Sequence, residues 1–220
     1  MKNLLLVLLL SLIFGLALPA QSYATTENSG AILFGVKGGL NISQIAGDDA
    51  YDSSDPRWGW HFGALMQYNI VKTLSFQPEL LYSQKGYSYK FSIADLDTKV
   101  EDNYDYLEIP LLLKFNLSAP RVKIQPYLGP TISYLIAAES KITSTVGSLS
   151  TTETNKIKDD MNQFDLGITF GTDIVLVDRV VLGARYNIGM SKIYKDSMPG
   201  IGTDVQNGTF MLNLGYIFNQ

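Results

Sequence analysis

YLEIPLLLKF, residues Tyr106 to Phe115, reads as a buried strand except that it carries Glu108 and Lys114, six residues apart. In an extended chain successive side chains point to opposite sides. Leu107, Ile109, Leu111, Leu113, Phe115 and Leu117 then share one face, and Tyr106, Glu108, Pro110, Leu112, Lys114 and Asn116 share the other. Both charges fall on the second face, so the segment is two-sided rather than uniformly apolar.

The same division recurs along the chain. In AILFGVKGGLNI, Ile32, Phe34, Val36, Leu40 and Ile42 lie opposite Gly35, Lys37, Gly39 and Asn41. In WGWHFGALMQYNI, Trp58, Trp60, Phe62, Met66, Tyr68 and Ile70 lie opposite Gly59, His61, Gly63, Gln67 and Asn69. Period-two alternation is the mark of a half-buried strand, and no stretch sustains a helical period. Eight such segments follow one another, at residues 31–43, 57–70, 73–87, 104–117, 121–137, 162–177, 179–193 and 206–218.

The first 24 residues stand apart. Lys2 gives a basic start, LLLVLLLSLIFGLAL an apolar centre, and Ser22-Tyr23-Ala24 a small-x-small cleavage site. That pattern predicts a signal peptide over 1–24 and one mature domain over 25–220. With no cysteine in the chain, neither a disulfide scaffold nor a lipid-modified N-terminal cysteine is available. The net charge of −4 is mild and the Lys and Arg residues are scattered, which excludes a nucleic-acid footprint. Charged residues make up only 17% of the chain, alongside 13 Tyr, 10 Phe and 19 Gly, a balance that favours a membrane or β-rich protein.

Alternation fits either a soluble sandwich or a membrane barrel, and three features separate them. The apolar face is nearly unbroken and carries aromatics at Trp58, Trp60, Tyr68, Phe115, Tyr134, Phe164, Tyr186, Tyr216 and Phe218, as two interfacial girdles require. The other face is rich in Gly and Asn, which suit a cramped lumen. Connections alternate between long (about 12 to over 20 residues) and short (about one to three), as in barrels with extracellular loops and periplasmic turns. The sequence therefore predicts an all-β fold, an eight-stranded antiparallel up-and-down transmembrane β-barrel of the bacterial outer membrane. Outer-membrane lipid and the barrel assembly machinery are its expected partners.

An eight-stranded barrel is only just wide enough for its own side chains. Lys37, Glu79, Lys85, Glu108, Lys114, Lys123, Asp165, Asp173 and Arg185 would share that space, five cations with four carboxylates. Such near balance predicts a paired polar network rather than an aqueous channel. Prolines at 78, 110, 126 and 130 each remove a ladder donor, so bulges or breaks in pairing are expected there.

Chemistry-bearing motifs are scarce. GVKGGLN lacks the strand-turn-helix setting of a phosphate loop, G-x-S-x-G does not occur, and His61 is the only histidine. No catalytic residue, cofactor or metal site is predicted. Two acidic loops, with Asp48, Asp49, Asp52 and Asp55 and with Asp95, Asp97, Glu101, Asp102 and Asp105, have no EF-hand spacing and read as solvated charge. The third long connection, ESKITSTVGSLSTTETNKIKDD, is a loop rich in Ser and Thr or an extension of its flanking strands.

The phrases FGVKGGLNIS, PELLYSQKG, YLEIPLLLKF, QPYLGPTISYL, FDLGITFG and ARYNIGMSKI resemble, in that order, the recurring strands of the PorT-like outer-membrane β-barrel family of Gram-negative bacteria. The resemblance implies an eight-stranded outer-membrane barrel; the family's namesake takes part in secretion across the envelope. Three roles follow. The leading one is a non-enzymatic structural or surface-interaction barrel that meets an extracellular or envelope partner through its long loops. A narrow pore and an envelope secretion role are the alternatives, and a lipid-acting enzyme would need a nucleophile and base at the rim. N-terminal sequencing of the membrane-bound protein is expected to begin at Thr25; an intact Met1 there would overturn the export reading.

Overall fold

The structure, a computed structural model, describes residues 29–46, 54–94, 96–119, 122–177, 179–195 and 205–218. The proposed signal peptide and the acidic residues Asp48, Asp49, Asp52 and Asp95 lie outside them.

Among the described residues ten strands follow in order: β1 Ile32–Ala46, β2 Asp55–Val71, β3 Leu74–Ile93, β4 Leu96–Phe115, β5 Leu117–Ala119, β6 Val122–Val146, β7 Leu149–Lys156, β8 Phe164–Leu176, β9 Val180–Gly189 and β10 Gln206–Ile217. A 3-10 turn, Lys158–Asp160, separates β7 from β8. Eight strands run round a ring in the order β1, β2, β3, β4, β6, β8, β9, β10, each antiparallel to its neighbours, and β10 pairs back with β1. β5 and β7 are additions that pair with β6.

Cα partners followed from Leu107 lead through Tyr82, Phe62, Gly38, Leu214, Leu182, Ile174 and Ile124 to Leu117, ten residues further along the chain. A stagger of that size over eight strands corresponds to a tilt of roughly 35–45°. Closure satisfies the backbone without water, which a lipid-spanning sheet demands. Outside, the wall is apolar: Phe34, Val36, Leu40, Trp60, Phe62, Leu80, Leu107, Leu128, Leu166, Ile168, Leu212 and Leu214 are all exposed.

β3, β4 and β6 are longer than their periodicity suggested, whereas β8 and β9 are shorter than the expected 162–177 and 179–193. The connection expected between 87 and 104 is a tight hairpin, because β3 continues to Ile93 and β4 starts at Leu96. The third connection takes the strand-extension form: β6 reaches Val146 and turns through Gly147, whose φ of +59° favours glycine, into β7. Beyond the lipid-facing band the two faces exchange character. On β3 the outward series runs from Leu80 and Tyr82 to Ser88, Lys90 and Ser92, while the inward series runs from Ser83 and Lys85 to Tyr87, Tyr89, Phe91 and Ile93. A bulge in β6, between the pairs Asp105–Ala137 and Tyr106–Leu135, shifts its phase so that Ile142 and Val146 join the inward side. Alternation tuned to lipid thus stops being legible where water replaces it.

The breaks in pairing expected at the prolines occur at three of the four. Pairing on both sides of β4 is interrupted around Pro110, next to Pro78 and Pro130, but the register does not shift there. Pro126 sits in an unbroken ladder with β8, opposite Thr172. Register shifts occur instead at Pro56/His61, Asn69/Val71 and Asp105/Tyr106. Three prolines gathered at one place share the two interruptions that flank β4.

Placing arginine at Ile168, which is 42% exposed on the lipid face, is expected to cost roughly 2–4 kcal/mol in detergent unfolding. Ser148→Arg in the β6–β7 turn should stay within about 0.5 kcal/mol. Equal losses would reject the assignment of faces.

Candidate functional site: a filled lumen beneath an outward sheet

All nine charged residues picked out by alternation are buried. Glu79 on β3 lies at their centre. Its Oε1 accepts from Lys37 Nζ on β1 at 2.7 Å and from Gln77 Nε2 at 2.6 Å, and its Oε2 accepts from Arg185 Nη1 at 2.7 Å. Arg185 stands on β9, four strands away in either direction round the ring, so this contact spans the barrel from wall to wall. Gln77 Oε1 also accepts from Lys114 Nζ at 3.0 Å, and Lys114 pairs with Asp173 Oδ2 on β8 at 2.6 Å. Lys114 therefore reaches past its neighbour β6 for its carboxylate, a placement that strand order alone does not suggest.

Towards the loop end Lys85 pairs with Glu108 at 2.6 Å, and Ser133 Oγ donates to the same carboxylate oxygen at 3.2 Å. Asp165 accepts from Asn207 Nδ2 at 3.1 Å. Lys123, 8% exposed, is held further towards the turn end. His61 lies between Asn41 Oδ1 at 2.6 Å and Asn213 Oδ1 at 2.8 Å, one on each ring nitrogen. A Cβ on Gly39 would strike the Leu212 carbonyl and the His61 ring, so glycine is what leaves the imidazole room. The amides Asn41, Gln77, Gln125, Asn207 and Asn213 complete the network; their inward phase was readable, but their role as bridges between charges was not.

Both ends of the lumen are apolar. At the turn end Leu33, Val175, Val181 and Ile217 pack together. At the loop end Tyr87, Tyr104, Tyr106, Leu135 and Ala138 meet Met161, Ile193, Tyr194 and Val205 from the connections. Tyr194 fastens this upper closure: its hydroxyl lies 2.9 Å from that of Tyr87 and 3.0 Å from that of Tyr104, and it donates to Asp102 Oδ2 at 3.2 Å. Burial pushes the Tyr194 phenol above its ordinary pKa, so it stays protonated at neutral pH. Asp102 had been read as loop charge; it lies on β4 and faces inward, whereas Asp97, Glu101 and Asp105 face outward on the same strand. That division disperses the second acidic cluster, and among the described residues no group of three His, Cys, Asp or Glu side chains is placed to hold a metal.

Of the aromatics, Trp58 and Trp60 lie near the loop-side end of β2, and Phe164 at the loop-side end of β8 packs on its β6 partner Tyr134, 5.1 Å apart between ring centres. Tyr68, Phe115, Tyr216 and Phe218 lie at the turn end. Tyr186 is flanked instead by Phe170 and Phe210 on the adjoining strands.

The sequence matches the family described as "Outer membrane protein beta-barrel domain" over residues 20–195. The chain belongs to that family. It is thus a barrel of the bacterial outer membrane, and its short turns face the periplasm while its long connections face outward. Among solved structures this barrel is similar to Ail, the attachment invasion locus protein of Yersinia pestis, at 18% identity over 87% of this chain and 100% of that one, with a TM-score of 0.45. Neisserial surface protein A (NspA) matches at 16% identity over 84% and 97%, with a TM-score of 0.43. OprG from Pseudomonas aeruginosa matches at 15% identity over 88% and 99%, with a TM-score of 0.40. No curated protein matches the chain.

Glu79→Ala leaves Lys37 and Arg185 buried without their shared carboxylate, and roughly 3–5 kcal/mol of stability should be lost. Glu108→Ala, which strands Lys85 alone, should cost less. Glu101→Ala breaks a pair with Lys99 whose side chains are 31% and 40% exposed and should cost about 0–1 kcal/mol. Denaturant unfolding in one detergent reads all three, and any other order would show that the lumen is not a dry network.

Proposed function

We propose that this barrel is a small, non-enzymatic member of the PorT-like type, whose role is structural and surface-interacting and is exerted by the sheet that β3, β4, β6 and β7 raise above the bilayer. The observation that carries the reading is the wall-to-wall contact of Glu79 with Arg185 and Lys37, which fills the lumen at mid-height. With apolar closures above and below it, the barrel serves as a support, and what it offers to the outside is the raised sheet. There Ile93, Leu96, Val146 and Leu149 form one cross-strand row, exposed by 66%, 37%, 53% and 75%. A row of that kind on the water-facing part of a membrane protein marks an interaction surface.

Conductance and truncation test the proposal together. Wild-type protein in planar bilayers should be silent. A variant in which residues 141–154 are replaced by a two-residue turn should keep its heat-modifiable gel mobility, because those residues lie above the ring. Steady wild-type conductance would make the protein a narrow pore. Unfolding of the truncated variant to the extent seen for Glu79→Ala would make the raised sheet a support of the barrel rather than a surface it presents.

A further inference from the structure

We infer that β7 is an open sheet edge that captures one extended segment of a partner polypeptide by strand addition. This deepens the surface-interaction reading and rests on it. The N–H of Ile157 donates to the Ala138 carbonyl at 3.0 Å. In an antiparallel ladder alternate residues direct their backbone groups to the same side. Counted back in steps of two, Asn155, Glu153, Thr151 and Leu149 therefore bond to β6. Ser150, Thr152, Thr154 and Lys156 turn their N–H and C=O groups away from it. Among the described strands β7 pairs with β6 alone, and all eight of its residues are exposed.

Edge strands are ordinarily protected by proline, by bulges or by central lysines. β7 has none of these: its register with β6 is unbroken from Leu149 to Lys156, and its one lysine is the last residue. Threonine at 151, 152 and 154 holds the backbone extended. A row of outward N–H and C=O groups at strand spacing is complementary to another extended backbone, and no sugar, ion or lipid headgroup presents that spacing.

Side chains narrow the partner further. On the inward face of β7 the added strand would lie beside Leu149, Thr151 and Glu153. Leu149 ends the exposed apolar row, so an apolar residue opposite it continues that row. Glu153 calls for a basic residue four positions from the apolar one. A second copy fits less well. Strands β7 of two barrels in one bilayer run in the same sense, so they could pair only in parallel, the weaker mode.

The test uses the full mature protein in nanodiscs and a fluorescein-labelled octapeptide, Thr-Val-Thr-Lys-Thr-Val-Thr-Leu, with anisotropy as readout. Wild type should bind it saturably. Thr152→Pro removes one outward N–H from an edge where proline is tolerated, and should weaken binding about tenfold or more while gel mobility stays that of the folded barrel. Glu153→Lys should also weaken it and regain binding with a peptide carrying Glu in place of Lys. Absence of saturable binding to wild type, unchanged binding by Thr152→Pro, or self-association of wild type through this edge would each overturn the inference. Conductance and the truncation result would be untouched by such a failure, so the two proposals fall separately.

Discussion

One carboxylate, that of Glu79, ties opposite walls of the barrel together. In an eight-stranded ring the interior admits little beyond side chains, and any charge placed there needs a partner within the same narrow space. Glu79 meets that demand twice, with Lys37 two strands away and Arg185 diametrically across. Gln77 then passes the network on to Lys114 and Asp173. Since a buried pair contributes little net stability when intact and costs much when broken, the network fixes which residues may face inward more than it strengthens the fold. The apolar exterior depends on this arrangement, because each strand that turns a leucine to lipid must turn its neighbour to the lumen.

That coupling explains the exchange of faces at the outer boundary. Within the bilayer the outward side must be apolar and the inward side is left for polar residues. Above it, water takes the outward side, and the inward side becomes the place to bury Tyr87, Tyr104, Val100 and Leu135. The strands cross this boundary without ending, so the membrane limit is written in composition rather than in secondary structure.

Much of the barrel could be read from alternation. The count of eight wall strands, the two faces, and the inward phase of residues such as Glu108 and Lys114 all follow from period two. Three things did not. The extension of β3 and β4 past Ser88 and Asn103 was hidden because the lipid pattern lapses there. The phase of β6 beyond Leu135 was obscured by a bulge, which no local residue type announces. Ion-pair partners depend on ring stagger: Lys114 finds Asp173 two strands away because tilted strands bring non-neighbours to one height.

The same stagger gives β7 its open edge. Both β7 and β8 lie along β6, β7 beside residues 139–146 and β8 beside 122–134. They would form one strand but for Ile157–Gln163, where the chain turns inward and buries Met161 in the upper closure. Below that break β8 has β9 on its far side, so its backbone is paired, as lipid requires. Above it β9 has already ended at Gly189, and among the described strands β7 runs on beside β6 alone. An unpaired edge is forbidden in hydrocarbon and tolerable in water. The inward excursion at Met161 therefore does two things at once: it closes the lumen and marks the height above which an edge can be left open to a partner.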